Sequence, residues 1–346
     1  MVDLRWRHEV TAASVEPEVL RVLREGRWVG GPVVQRAEAA VAELFGRAHA
    51  VGVGSGTDAI ALSLAALGVQ PGDVVAVPAL TFFATAGAVC ALGAIPRVVD
   101  VDERGLLRED LVAEQSGLKA VLPVHLFGNR CSAEFPGLIM VDDAAQATGS
   151  GHATGTLTAI STYPTKIWSG LGDGGFVVGD NLEQLQKVRK LGSHGMVEPH
   201  LHHTISGHVG RNSRLDTVSA AVLLGQLPTL SDRIARRQQI ANYFDDQLPT
   251  ELRPIPRDAN NPVPVYCTRT TVRAELQSHL KAQGIDSTVY YPRPLHHQPA
   301  LAAFSTGVRA PVAERLCKEL LALPMHAGLS DAQVEAITSA TQAFFR

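Results

Sequence analysis

The sequence predicts an α/β chain: a large domain built on a mostly parallel sheet covered by helices, followed by a small α+β C-terminal domain. Two patterns carry that prediction. Up to about Gly175, short apolar runs rich in Val, Leu and Ile alternate with helix-like stretches, the order expected of β-α-β units. Beyond it, helical character dominates over 182–248, and a Pro- and Asn-rich passage then leads into a strand and two helices.

In chain order, strands are expected at 48–53, 74–77, 97–99, 120–124 and 138–141, with helices at 58–67 and 83–92 between some of them. Alternation of this kind argues for a sheet covered on both faces. The stretch 233–241, with Arg236, Arg237, Gln238 and Gln239, reads as part of a long helix whose charges form a wet face. After Pro254, the residues Asn260, Asn261, Pro262 and Pro264 mark a loop, and helices are expected at 273–283 and 331–344. A chain of 346 residues exceeds what one core usually spans. The division is placed at 1–228 for the N-terminal segment with the large domain and at 229–346 for the small domain.

Composition narrows the function classes. Hydrophobic residues make up 45% and charged residues 19%, which leaves little room for long disorder. A net charge of −3 with no basic block argues against a nucleic-acid partner. The charged segment 1–10 is no signal peptide, and the longest apolar stretch, 84–94, is too short to span a bilayer, so no membrane partner is expected. Cys90, Cys131, Cys267 and Cys317 form no C-x-x-C pair and read as reduced thiols in a cytoplasmic protein. No metal is expected: His200, His202 and His203 lack accompanying carboxylates or cysteines and read as a solvated loop.

Ligands of such sheets collect at the carboxyl ends of strands, so the residues just past each strand carry the chemistry. After the first comes Gly54-Ser55-Gly56-Thr57 and then a helix, a place where backbone amides and the helix dipole receive an anion. A dinucleotide reading of these glycines needs an acidic residue at the end of the next strand, which instead ends in Val77-Pro78-Ala79. A turn without any ligand is the plain alternative. The strand at 138–141 runs into Asp142 and Asp143; a carboxylate there either caps a helix or pairs with a protonated ring nitrogen of a bound heterocycle. Lys166 lies between Ser161 and the glycines of 170–175, where it is either an ordinary surface lysine or a buried amine open to a flat cofactor.

Taken in order, these segments resemble the DegT/DnrJ/EryC1/StrS sugar aminotransferases, a branch of the fold-type I pyridoxal 5′-phosphate (PLP) enzymes. The likeness runs through G-S-G-T-D-A at 54–59, P-A-L-T-F-F-A-T at 78–85, V-H-L-F-G at 124–128, D-D-A-A-Q-A at 142–147, S-T-Y-P-T-K and G-D-G-G within 161–175, S-H-G at 193–195, G-R-N-S-R-L-D at 210–216, Y-Y-P-R-P-L-H-H-Q-P at 290–299 and L-P-M-H at 323–326. The resemblance implies an aspartate-aminotransferase-like fold and PLP held by Lys166 as a Schiff base. It implies Asp143 on the pyridine nitrogen, Phe82 stacked on the ring, Gln146 at the ring oxygen, and the phosphate on Gly56, Thr57 and Ser161. Asn212 is implied to reach the cofactor of a partner subunit, so a homodimer with shared active sites is expected. Substrate contacts are implied for Tyr291, His296 and Gln298, and for Trp28 near the entrance, although His296 and His297 on their Pro-rich loop read equally well as a surface pair.

The expected activity is transfer of an amino group from glutamate or glutamine to a nucleotide-diphosphate-linked keto sugar, at C3. The alternatives are a dehydratase or cyclising enzyme of the same family, and a PLP-binding regulator without turnover. Two departures stand out: the crossover at 129–137 is too short for a regular helix, and Arg211 replaces an aromatic or aliphatic residue.

Overall fold

The computed structural model describes residues 2–151 and 154–346. Two helices open the chain, α1 (Leu4–Glu25) and α2 (Pro32–Leu44), and the large sheet begins with β1 (His49–Val53). Then come α3 (Gly56–Ala66), β2 (Val74–Pro78), α4 (Ala84–Ala91), β3 (Ile95–Val99), α5 (Glu109–Ala113), β4 (Leu118–Val121), β5 (Ile139–Asp143), β6 (Leu157–Ser161) and β7 (Gly175–Gly179). The strands lie in the order β1-β7-β6-β5-β4-β2-β3. Every pairing is parallel except those of β7, which runs against both β1 and β6. The carboxyl ends of the first six strands therefore share one edge, and the loops after them meet there.

Both faces of the sheet are buried. Along β7, Val177 packs into one apolar cluster with α3 and with α6 (Leu182–Leu191), while its neighbours Phe176 and Val178 pack into another with α1, α2 and α7 (Thr217–Gln226). Successive residues of a strand point to opposite faces, so two clusters at adjacent positions mean cover on both sides. Helix α3 is buried along Ala59–Ala66, and its sequence there is accordingly apolar nearly all round.

A short ribbon of β8 (Met196–Glu198) and β9 (Leu201–His202) is exposed, and His202 lies on it. The C-terminal part of the chain contains α8 (Leu230–Gln247), β10 (Arg253–Pro254), β11 (Tyr266–Arg269), α9 (Arg273–Ala282), α10 (Pro311–Glu319), β12 (Leu320–Leu323) and α11 (Asp331–Phe345). Its antiparallel sheet, β10-β11-β12, packs against α8, α9 and α11 through Phe244, Tyr266, Leu276, Leu321 and Ile337. None of the described helices is long and apolar enough to cross a membrane.

One expectation fails at α8. Arg237 is not on a wet face but buried, as is Arg233 one turn earlier. Arg237 Nη1 donates to the carbonyls of Val263 (3.0 Å) and Met325 (3.2 Å), and Arg233 Nη1 to that of Ile167 (2.9 Å). The i, i+4 spacing puts both on the core side of the helix, where loop ends present carbonyls without partners. Burial pulls the guanidinium of Arg237 down to about 9 and that of Arg233 to about 10.

The short crossover at 129–137 forms no helix. It is tied instead to residues 256–261. Asn129 donates to the carbonyl of Pro256 (2.9 Å) and accepts from the amides of Asp258 (3.1 Å) and Asn261 (2.8 Å), while the Arg130 amide donates to Asp258 Oδ2 (2.8 Å).

Candidate active site

The loops at the strand ends and segments of the C-terminal part of the chain line a cavity of about 730 Å³. One end is the start of α3. The Ser55 hydroxyl caps the Asp58 amide at 3.0 Å, and the helical amides of Gly56 and Thr57 have no carbonyl one turn back to bond. Gly56 presses against the end of β6, where a Cβ would lie only 2.7 Å from Ser161 Cβ. Only glycine lets the amides and the Ser161 hydroxyl stand together as a cradle for an anion.

Asp143 closes β5 and is buried. Its backbone is fixed in the sheet, with the amide donating to the Pro123 carbonyl (2.8 Å) and the carbonyl accepting from the His125 amide (3.0 Å). Oδ2 accepts from the Thr85 hydroxyl at 2.7 Å, and the Thr85 and Thr81 hydroxyls are 2.9 Å apart. Residues 144–151 form turns and no helix, so the helix-cap alternative for this carboxylate has nothing to cap.

Lys166 follows β6 on a loop closed by a hydrogen bond from its amide to the Tyr163 carbonyl (2.8 Å). Its side chain lines the cavity, and among the described residues Nζ has neither a hydrogen bond nor an ion pair. Burial pushes the ammonium below the ordinary lysine range, and the Asp143 carboxylate opposes that by favouring the charged form. Such an amine spends more of its time neutral and nucleophilic than a surface lysine does.

Between these groups stands an aromatic wall. Phe82 is 60% exposed although it lies inside the cavity, and its ring centroid is 6.1 Å from that of Tyr291. Gln146 accepts from the Phe127 amide (2.7 Å) and donates to the Tyr291 hydroxyl (3.4 Å). Burial pushes the Tyr291 phenol up, so it stays protonated. Phe127 has a positive φ of 54°, unfavourable for a residue with a side chain, and its two backbone groups are tied down by Gln146 and by Asn261, which donates to its carbonyl at 3.0 Å.

Gly56, Thr57, Phe82, Asp143, Gln146, Ser161, Lys166 and Tyr291 therefore converge on one cavity. The other sequence-derived residues stand apart from it. Asn212 is exposed, accepts from Arg214 Nε (3.1 Å) and is bridged to Ser193, while its neighbour Arg211 pairs with Asp58 at 3.2 Å. Trp28 is 58% exposed, with its carbonyl accepting from the Thr217 amide. His296 is buried against Glu314 at 3.1 Å, and Gln298 lies at the end of the same turn. Sequence reasoning missed Thr85, which belongs to the same segment as Phe82, and Asn261, which had been read only as a loop marker.

A model of the DegT/DnrJ/EryC1/StrS aminotransferase family matches residues 11–342. The chain is 36% identical to a pleiotropic regulatory protein of Geobacillus stearothermophilus, over all of this chain and 98% of that one. It is 33% identical to the UDP-2-acetamido-2-deoxy-3-oxo-D-glucuronate aminotransferase of Pseudomonas aeruginosa, over 98% of each. Among solved structures, that of S. venezuelae DesV in complex with a ketimine intermediate matches with a TM-score of 0.94 at 34% identity, covering 100% of this chain and 98% of that one. The chain belongs to the DegT/DnrJ/EryC1/StrS aminotransferase family, whose cofactor is pyridoxal 5′-phosphate.

Proposed function

We propose that this chain moves an amino group from glutamate or glutamine onto C3 of a nucleotide-diphosphate-linked 3-keto sugar, as a cytoplasmic homodimer with shared active sites. The observation that carries the reading is Lys166: a half-buried amine without a partner among the described residues, facing the same cavity as Asp143. When bound, PLP would supply the electron sink for the reaction. The cavity fits that cofactor because a Cβ on Gly56 would fill the anion cradle, Phe82 leaves a ring face bare, and Lys166 stands unpaired.

In this reading the amides of Gly56 and Thr57 and the Ser161 hydroxyl hold the phosphate. Phe82 covers one face of the ring, and Gln146 holds its oxygen side. Asp143 keeps a proton on the ring nitrogen, with Thr85 orienting its carboxylate. Lys166 holds the cofactor at rest and, once displaced, moves a proton at the reacting substrate carbon. Tyr291 closes the cavity from the C-terminal domain and borders the substrate. Asn212 and Trp28, exposed and outside this chain's own cavity, are free to serve a partner's site.

Placement of the keto group at C3 is supported by the Tyr163–Lys166 and 172–175 segments and by the name of the Pseudomonas relative, a 3-oxo sugar nucleotide aminotransferase. Matched 3-keto and 4-keto nucleotide sugars, each offered with glutamate and with glutamine, test it. Amino product from the 3-keto substrate is expected by mass; a preference for the 4-keto substrate overturns the regiochemistry alone, and no amino product from either overturns the substrate class.

A further inference from the structure

Outside the cavity, the turn that follows Tyr291 brings a second group of chemically capable side chains together. His296 and His297 lie on a single 3-10 turn, Leu295–His297, and Glu314 lies in the first turns of α10. Each offers a ligand atom, and these atoms lie within 4.8 Å of one another. His296 Nε2 is 3.1 Å from Glu314 Oε1, and the two imidazole centroids are 4.3 Å apart. Adjacent ligands of a tetrahedral zinc ion, at about 2.0–2.1 Å from the metal, are roughly 3.3 Å from each other.

Two further features separate this group from a hydrogen-bonded histidine that only holds a loop. His296 is 7% exposed, and its second ring nitrogen, Nδ1, is buried without any partner. Both elements are also fixed from behind. The Leu295 amide donates to the Ala79 carbonyl (2.8 Å) beyond β2, and the amides of Val312 and Ala313 donate to the two oxygens of Asp100 (3.0 and 2.9 Å) beyond β3. The ligands are thus carried on anchored segments, and only the exposed His297 has to swing to complete a set.

We propose that His296, His297 and Glu314 form a binding site for one transition-metal ion of the zinc class, with a remaining coordination position open to solvent. Two imidazoles and one carboxylate suit zinc, cobalt or nickel rather than magnesium or calcium, which take oxygen ligands. When the ion takes Nε2, the imidazole proton moves to Nδ1, whose buried N–H then lacks an acceptor among the described residues, a cost the metal–nitrogen bond has to exceed; the ion replaces the hydrogen bond to Glu314. The site ties α10 to the turn that carries Tyr291 into the active cavity. It revises the sequence-based expectation that no metal is bound.

Cobalt(II) serves as the probe, titrated into the PLP-loaded enzyme after chelation and dialysis. One equivalent per chain with the intense visible bands of a tetrahedral site is expected, displaced by zinc. His297→Ala and Glu314→Gln, chosen because neither removes the buried ring, should each weaken cobalt binding by about 100-fold. Retained circular dichroism and retained cofactor absorption in both variants establish that the loss is not unfolding. His202→Ala addresses the exposed histidine ribbon, where His202 lies near His194, and should leave the cobalt spectrum unchanged. Binding that persists in both His297→Ala and Glu314→Gln, or that disappears in His202→Ala, overturns the site; so does the absence of a tetrahedral cobalt spectrum in the unmodified enzyme.

Discussion

The two walls of the active cavity are made of different material. On the large-domain side the groups stand at strand ends: Gly56 and Thr57 after β1, Phe82 after β2, Asp143 closing β5, and Ser161 closing β6 with Lys166 on the loop beyond. On the C-terminal side stand Pro264, Val265, Leu323 and Met325, with Tyr290 and Tyr291 as the polar exceptions. The first wall positions charge and hydrogen bonds through a backbone already fixed by the sheet ladder. The second brings almost no charge and helps enclose the cavity in which burial depresses the Lys166 ammonium. Chemistry from one side needs dryness from the other. Substitutions in the first wall should therefore act on turnover, and substitutions in the second on stability.

The largest effect is expected at Lys166. Lys166→Ala removes nucleophile and proton carrier together, and turnover should fall by roughly 10⁴-fold or more. Borohydride treatment of the unmodified protein should fix the cofactor to the peptide containing Lys166. A different labelled lysine would move the reaction centre away from β6 and break the comparison at its root.

Asp143→Ala comes next, with turnover lower by about 10²–10³-fold. The structure adds a small stability term, because the Thr85 hydroxyl loses the Asp143 carboxylate and has to turn to the Thr81 hydroxyl 2.9 Å away, a loss of about 1 kcal/mol. The charge also has a readable effect on its neighbour. The Asp143 carboxylate raises the Lys166 ammonium against the pull of burial, so Asp143→Asn should lower it further. In cofactor-free protein, acylation of Lys166 followed by mass spectrometry should then reach half its maximal rate at a lower pH than in the unmodified chain. An unchanged midpoint would mean that the two groups do not sense each other.

Much of the first wall was legible in the sequence, and the reason is local. Gly54-Ser55-Gly56-Thr57, Asp143 and the segment from Ser161 to Lys166 are each read from a few consecutive residues at the end of an apolar run, and a strand end fixes their direction. What the sequence hid depends on distant partners. Thr85 bonds Asp143 across 58 positions and Asn261 bonds Phe127 across 134, and no spacing rule joins such pairs. Arg237 was misread because a charged residue at a core-facing helical position looks the same as one on the surface until the carbonyls it bonds are known. His296 and Gln298 belong to the same motif as Tyr291, but the turn after Tyr291 carries them out of the cavity.

The second wall yields the smaller effects. Met325 is 3% exposed and borders the cavity, so Met325→Ala should cost about 2–4 kcal/mol of stability. Turnover of the folded fraction should fall less than about tenfold, because no reacting group is lost. Denaturant midpoints and rates measured on the same sample separate the two. A turnover loss comparable to that of Asp143→Ala would erase the distinction between the walls.

The smallest expected effect is at His326, the residue after Met325 and itself not part of the cavity lining. Burial, reinforced by the positive charges of Arg237 and Arg7, pulls its imidazole from the ordinary 6.5 down to about 4. Its Nδ1 is buried without a partner, so protonation inside the fold finds no acceptor to offset the lost hydration. In the unfolded chain the imidazole takes up its proton near 6.5, whereas in the native chain it waits until about 4. Between those values the unfolded state binds more protons, so stability falls as pH drops from about 6.5 towards 4 and is unaffected by this group above that window. Replacing His326 by Gln keeps a polar side chain of similar size without a titrating nitrogen. The variant should therefore lose less stability than the unmodified protein on acidification through that range, with turnover at pH 8 nearly unchanged. Denaturant midpoints collected from pH 8 to pH 4 decide it: parallel curves for the two proteins would show that His326 is free to protonate in the fold, and that the packing around it does not exclude the charge.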